Sequence, residues 1–436
     1  MKVLIANAYV RENGGDAALL SVCIEQVRAA FPGAEIEVSG MERPSHHPTF
    51  DGERVIGSVR RFVADLDIPR SRRLLRGATA LAGLGLYLGA PRPARAFLRS
   101  RLRGELGAEV RAAATSDLVV STGGGYMYAR GGLGGYQNLL FVLFPLVIAE
   151  REGVPLIFAP QSYGPFATTL QRLLVRRVLD RALLVLAREE TSVELLVAAG
   201  VPADAITPAV DSGFAFRSPE TSTLRADFGV APSEMLIGMT ARAWLPPDQQ
   251  TAYERALAAT IDHLQADGAR RVVLIPQVMT NDSTDDDRIV QRRIADFCVT
   301  EPLLVEALRD HYELMALYRE LDLLVGTRFH SVIFSLISGV PCVGIAYEHK
   351  TRGIMRELDL EQWVIDIEAV TPAALIGLTD RAIASSEHYR AVLAERMPPY
   401  IERADAVVGL ISEAYAGRAS EGAETGAALS SRALPD

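Results

Sequence analysis

The sequence is poor in cysteine, has no excess of basic charge and lacks long apolar runs. Its three cysteines, Cys23, Cys298 and Cys342, are scattered singly. An odd, widely spaced set excludes a disulfide framework and offers no metal-binding spacing. They read as small buried hydrophobes in a reducing compartment. A net charge of −9 excludes a general nucleic-acid binder. Nothing reaches the roughly 18–20 consecutive apolar residues of a membrane span. The N-terminus lacks the longer apolar region and cleavage site of a secretory leader: Met1-Lys2-Val3-Leu4-Ile5-Ala6 reads as a first β-strand. The expected location is the cytoplasm.

What is present is length and apolar content. With 436 residues, 49% of them hydrophobic, the chain can form two ordinary domains with sizeable cores. Short apolar runs alternate with helical patterns, and the alternation occurs twice. This predicts an α/β protein of two doubly wound, Rossmann-like domains facing each other across a cleft. Pro208, Pro219 and the polar run Ser218 to Ser222 place a linker near residue 220. The expected domains are 1–217 and 223–416, and the small, polar residues 418–436 read as a disordered tail.

In the first half, strand Val3–Asn7 leads to Asn13-Gly14-Gly15-Asp16. A helix follows with Leu19, Leu20, Cys23, Ile24 and Val27 on one face. The glycines permit close backbone approach to a ligand, and Asp16 can cap the helix; the plain alternative is a well-made turn. Strand Asp117–Ser121 ends in Gly123-Gly124-Gly125, and strand Pro155–Ala159 ends in Gln161-Ser162. Arg188 opens a helix, either toward the cleft or paired with Glu189 or Glu190. An insert at about 68–105 stands apart. Arg70, Arg72, Arg73, Arg76, Arg92, Arg95, Arg99, Arg101 and Arg103 occur there without an acidic residue between them, around the apolar run Ala78–Ala90. Such a segment suits a membrane interface or a lipid-linked substrate. The alternative is a core helix whose arginine stems cover apolar surface.

In the second half, strand Leu236–Thr240 leads to Arg242. Asp282, Asp285, Asp286 and Asp287 crowd one loop; they read as a solvated loop that caps the next helix rather than a cation site. The most informative stretch is Gly326–Lys350. An apolar strand ends at Gly326, Arg328 and His330 sit at the mouth of the apolar helix that follows, and a further strand ends near Glu348-His349-Lys350. Loops at the carboxyl ends of parallel strands bind ligands, and helix N-termini favour anions. Two cations and a titratable imidazole there describe a site for an anionic substrate with proton transfer.

Gly326, Arg328, His330, Gly339-Val340-Pro341, Tyr347 and Lys350 together resemble the polysaccharide pyruvyl transferase family. The Asn13-Gly14-Gly15-Asp16 turn, the Gly123–Gly125 loop, the Gln161-Ser162-x-Gly-Pro turn and Arg188-Glu189 with Ser192 match further family features. The resemblance covers roughly residues 1–365, outside the Arg-rich insert and the tail. It implies a fold like the GT-B glycosyltransferases, with the acceptor on the N-terminal domain and the donor on the C-terminal one. It also implies transfer of the enolpyruvyl group of phosphoenolpyruvate to a sugar of a cell-wall or exopolysaccharide glycan, often lipid-linked, forming a pyruvate ketal and phosphate. Arg242 and Arg328 then hold the phosphate and carboxylate, with Lys350 as a point charge. His330 protonates the methylene carbon, and Asp16 or His330 takes the sugar proton. No metal or further cofactor is required, because arginines supply the positive charge. The rivals are a nucleotide-sugar glycosyltransferase of the same fold and a non-catalytic homologue.

Overall fold

The computed structural model describes residues 1–9, 13–40, 48–64, 69–280, 285–307 and 310–430. They form two compact units, each built on its own largely parallel sheet.

The first unit carries β1 (Lys2–Ala8), β2 (Glu35–Gly40), β3 (Thr49–Phe50), β4 (Glu53–Gly57), β5 (Leu118–Ser121), β6 (Gly124–Ala129), β7 (Leu156–Phe166), β8 (Leu184–Ala187) and β9 (Thr207–Pro208). Their order is β3-β4-β2-β1-β5-β7-β8-β9, with β6 beside β7. Every pairing is parallel except the β3–β4 hairpin. Val3, Leu4, Ile5, Val119 and Val120 are fully buried, as a strand covered on both faces requires. The helices are α1 (Gly14–Ala30), α2 (Val59–Ala64), α3 (Arg70–Gly89), α4 (Arg92–Arg101), α5 (Gly104–Thr115), α6 (Leu133–Glu152), α7 (Thr169–Leu179) and α8 (Glu190–Ala198). Helix α1 buries Leu19, Leu20, Cys23, Ile24 and Val27, the face its spacing predicts. Among the described residues, α6 alone is long and apolar enough to cross a membrane, and half of that stretch is buried inside the protein.

The second unit carries β10 (Met235–Thr240), β11 (Arg270–Leu274), β12 (Leu303–Leu304), β13 (Leu323–Gly326), β14 (Cys342–Ala346) and β15 (Val364–Asp366). All are parallel, in the order β12-β11-β10-β13-β14-β15. Around them lie α9 (Leu224–Asp227), α10 (Pro247–Gln265), α11 (Asp287–Phe297), α12 (His311–Tyr318), α13 (Phe329–Ile337), α14 (His349–Glu357), α15 (Pro372–Ala384) and α16 (Ser386–Asp405).

The units do not divide at a single linker. Arg11–Ala18 groups with the second unit, which otherwise runs from Gly213 to Glu402. The polar run expected to be a linker lies inside it, where the Ser218 hydroxyl donates to the Tyr312 carbonyl at 2.9 Å. Residues from Arg403 onward return to the first unit. There the Gln26 amide donates to the Ala404 carbonyl at 3.1 Å, and Phe31 meets Tyr415 edge-on at 5.2 Å. The last helix, α17 (Val407–Ser430), continues through most of the stretch expected to be disordered; residues 431–436 lie outside the described ones. Its alanines and glutamates favour helix, which composition read for polarity alone conceals.

The Arg-rich insert forms α3 and α4 rather than one core helix. Arg95 of α4 is buried and donates to Glu152 at 2.6 Å, and Arg99 reaches the same carboxylate at 3.0 Å. These two arginines fasten the insert to α6.

One buried acid gives this unit a pH dependence. Glu109 of α5 is 1% exposed and accepts from the Ser39 hydroxyl at 2.5 Å and the Val59 amide at 2.6 Å. Burial pushes its carboxyl up from 4.5 to about 7, against the pull of those two donors. The folded state therefore keeps a proton that the unfolded chain has released. Its stabilisation is full below the lower value and is lost as pH rises through the upper one. Melting of the wild type should fall by several degrees between about pH 5 and about pH 7.5, and the Glu109→Gln variant should lack this slope. Parallel curves would show that Glu109 is ionised throughout.

Candidate active site

In the second unit the strand order reverses between β10 and β13, where Thr240 and Gly326 lie side by side in register. Ligands of open α/β sheets bind at the carboxyl ends of strands at such a reversal. Arg242 follows β10 there, and Arg328 and His330 follow β13.

The loop after β13 is pinned from below. The Thr240 hydroxyl accepts from the amides of Thr327 and Arg328 at 2.9 and 3.2 Å, and it lies 2.9 Å from the Ser331 hydroxyl. Ser331 donates to the Arg328 carbonyl at 2.5 Å, and Tyr253 meets the Thr327 hydroxyl at 2.7 Å. This buried network sets Arg328 at the cap position of α13 and His330 in its first turn.

Arg328 was expected to offer a free bidentate fork, but its fork is engaged within the protein. Its Nε donates to both Asp287 oxygens at 3.1 Å, and Nη2 reaches Asp287 at 2.5 Å and Asp285 at 3.0 Å. A guanidinium this buried needs a counter-charge, because an unpaired ion would cost several kcal/mol. Asp287 is 1% exposed and also accepts from the amides of Gln277 and Val278 at 3.0 Å. Burial pushes its carboxyl up, while Arg328 and these amides pull it down. Burial likewise opposes the Arg328 charge, and Asp287 outweighs it, so the guanidinium pKa is raised. The acidic loop is thus not wholly solvated. Asp286 caps α11 as expected, accepting from the Arg288 amide at 2.9 Å, whereas Asp287 is a buried counter-ion. Asp282 lies outside the described residues.

The Arg242 guanidinium lies over the rings of Trp244 and Tyr347, 4.8 and 4.5 Å from their centroids. Its Nη2 stands 3.6 Å from Asp285, so the half-exposed Asp285 carboxylate spans Arg242 and Arg328. Arg242 Nε is buried and has no hydrogen-bond partner among the described residues. Burial pushes the Tyr347 hydroxyl up, and Arg242 opposes this. Lys350 stands 3.5 Å from Glu348 at the start of α14.

The Asn13–Asp16 turn belongs to this unit. Asn13 bridges Val278, and Gly14 donates to the Gln277 carbonyl at 2.9 Å. The expected helix cap is not Asp16. Asn13 Oδ1 accepts from the amides of Gly15 and Asp16 at 3.0 and 3.5 Å, and Asp16 instead accepts from Asn13 Nδ2 at 2.8 Å. Asn is the better cap here because it sits one residue before the helix, where its side chain reaches those amides. His330 presses on Gly15: a Cβ at that position would stand 2.1 Å from Nδ1. At Gly14 a Cβ would meet Leu314 at 2.5 Å. Close approach requires glycine at position 15, whereas at position 14 the end of the Leu314 side chain would have to move.

The remaining expected residues belong to the first unit, where β7 runs on to Phe166 through Gln161-Ser162, which were expected as a turn at its end. Gly123 follows β5 and would push a Cβ to within 2.8 Å of the Pro160 carbonyl. Gly124 and Gly125 open strand β6 rather than forming a loop. Gln161 is buried in β7 and donates to the Tyr163 hydroxyl at 3.1 Å; its Oε1 has no partner among the described residues. Arg188 is buried. It donates to Asp211 at 2.5 Å, to Ser162 at 2.9 Å and to Glu189 at 3.3 Å. The expected pairing with Glu189 is present, and Asp211 is the shorter contact.

The model of the polysaccharide pyruvyl transferase family matches residues 13–349. The chain belongs to this family. The matched span runs from Asn13, at the turn beside His330, to His349 next to Lys350. Among relatives of this pyruvyl transferase family member, the amylovoran biosynthesis protein AmsJ of Erwinia amylovora is 26% identical over 299 residues, 64% of this chain and 70% of AmsJ. Solved structures show the same fold at low identity. Anabaena Alr3699/HepE in complex with UDP-glucose superposes with a TM-score of 0.55 at 14% identity, covering 97% of this chain and all of that one. The UDP-GlcNAc 2-epimerase of Neisseria meningitidis gives 0.56 at 11% identity, covering 94% and 99%. The fold is GT-B-like.

The site roles of Thr240, Trp244, Gln277, Asp285 and Asp287 escaped the reading of the sequence, which took Thr240 as a strand end and the two aspartates as part of a solvated loop. Trp244 carried a signal, being one of only two tryptophans and two residues from Arg242. The others are ordinary polar residues whose role appears only once β10, β11 and β13 lie together.

Proposed function

We propose that this protein transfers the enolpyruvyl group of phosphoenolpyruvate to two hydroxyls of a sugar in an extracellular or cell-wall polysaccharide precursor, forming a cyclic pyruvate ketal. The observation that carries the reading is Asp285, an internal carboxylate spanning Arg242 and Arg328 at 3.6 and 3.0 Å. The pair suits one carboxylate-sized anion, and the donor presents both a carboxylate and a phosphate. Arg242, seated on two rings with a buried Nε unspent, binds the donor directly. Arg328, fixed by Asp287, contributes charge and position, and Lys350 adds a further cation.

His330 delivers a proton to the donor's methylene carbon, turning it into a methyl group and leaving a cation at the neighbouring carbon. One sugar hydroxyl attacks that carbon. The carbon–oxygen bond to phosphate breaks, and the second hydroxyl closes the ketal. Of the two hydroxyl protons, one balances the proton taken up by the methyl group and the other leaves on phosphate. Asp16 or His330 accepts the first. Arginine charge serves where a metal would otherwise act. A glycan acceptor completes the substrate set, in keeping with the role in amylovoran biosynthesis that the name of AmsJ gives to that relative. The free thiols suit work in the cytoplasm.

Phosphoenolpyruvate should raise the melting temperature by mass action. Arg242→Ala should weaken its binding about 10–100-fold, the worth of one or two charge-assisted hydrogen bonds. With a glycan acceptor, phosphate release should match ketal methyl groups counted by NMR. Stabilisation by a nucleotide sugar alone, without phosphate release from phosphoenolpyruvate, would replace this reading with glycosyl transfer.

A further inference from the structure

Helix α3 is amphipathic in the wrong sense for a helix facing water. Its inner face, Ala80 and Tyr87 with Leu84 and Leu88, packs on the core of the first unit. Its outer face carries Leu74, Leu75, Leu81 and Leu86; Leu74 is 65% exposed and Leu86 63%. Positions 74, 78, 81, 82 and 85 recur at helical spacing, and all five are exposed leucine, alanine or glycine. On α4, Phe97 is 58% exposed under the Arg101 guanidinium, 5.0 Å from its ring. A soluble surface rarely presents so long an apolar stripe without use.

The charges around the stripe point to its occupant. Nine arginines and no acidic residue lie between Asp67 and Glu105, in a chain of net charge −9. Arg95 and Arg99 are committed to Glu152, and Arg76 stacks on Phe62 at 4.8 Å. Arg72 before the apolar stretch, and Arg92, Arg101 and Arg103 after it, are exposed. A second copy of this chain fits poorly, because a two-fold interface would set these arginines against one another. A nucleic acid would use the arginines and leave the leucines in water.

We infer that α3 and the exposed arginines beside it form a docking face for an anionic lipid bilayer. The helix lies flat in the interface, about 30 Å long, with its leucines in the acyl boundary and its arginines on lipid phosphates. The inference stands on the first unit alone and does not depend on pyruvyl transfer.

The test is co-sedimentation of the full chain with vesicles of phosphatidylcholine alone or with phosphatidylglycerol. The wild type should bind the anionic vesicles at low salt, bind neutral ones far less, and be released by salt. Leu74→Ser/Leu81→Ser/Leu86→Ser and, separately, Arg92→Glu/Arg101→Glu should each weaken partitioning about tenfold or more. Both sets are exposed, so the melting temperature should hold. No wild-type binding to anionic vesicles at low salt would overturn the inference, as would variants that bind like the wild type. A serine variant that changed the particle mass in solution, with vesicle binding unaltered, would overturn it in favour of a contact between copies.

Discussion

The His330→Ala variant is expected to lose about 10²- to 10⁴-fold in turnover, the usual worth of a positioned proton donor. Its fold should survive, because His330 is only partly buried and α13 keeps its cap network of Thr240, Ser331 and Arg328. The measurement is steady-state phosphate release at saturating donor and acceptor, with a melt beside it. Gly15→Ala supplies an independent arm, since its Cβ would enter the space of the His330 ring. It should lose turnover comparably although it adds only one methyl group. Combining Gly15→Ala with His330→Ala removes the two ring contacts but keeps the one to the residue 330 Cβ at 2.7 Å, so it should recover part of the lost melting temperature and leave turnover low. Near wild-type turnover in His330→Ala would remove the imidazole from the chemistry.

Asp287→Ala is expected to lower the stability of the second unit by about 3–5 kcal/mol, the cost of stranding a buried charge. The change removes the counter-ion of Arg328 and the acceptor of the Gln277 and Val278 amides together. Both tryptophans, Trp244 and Trp363, belong to this unit, so their fluorescence in a denaturant titration reports on it. The Asp287→Ala/Arg328→Ala double variant should be more stable than Asp287→Ala, because it no longer carries an unpaired cation. A cost under about 1 kcal/mol in the single variant would mean that the pair is solvated and weak.

Much of the second unit was legible in the sequence because its strands are short, wholly apolar and closed by special residues. Leu323–Gly326 and Cys342–Ala346 are of this kind, and the helix between them stops at Gly339, which adopts a positive φ of 69°. The strand-end positions of Arg242, Arg328 and His330 followed directly. What failed to show was pairing across distance. Arg328 and Asp287 are 41 residues apart, and Arg188 and Asp211 are 23 apart. No local pattern marks either pair, and an aspartate in a run of three reads as solvated until the fold brings it to Arg328. The Gly123–Gly125 run misled in the other direction. Glycine-rich sequence reads as loop, yet Gly124 and Gly125 begin a strand because β7 extends far enough to give β6 a parallel partner. In the insert, arginines of one sign looked equivalent; only the structure separates those spent on Glu152 from those facing water.

The interleaving of the chain bears on how it is made. The path leaves one unit for the other after Val10, Ala18, Ser212 and Glu402. The unit whose first strand emerges earliest from the ribosome is therefore the last to be completed, since it waits for the residues from Arg403 onward. At about 5–20 residues per second, its sheet stands without its closing helix for tens of seconds during synthesis. Over that interval the nascent first unit exposes the surface that α17 later covers, and a chaperone has a defined window in which to hold it.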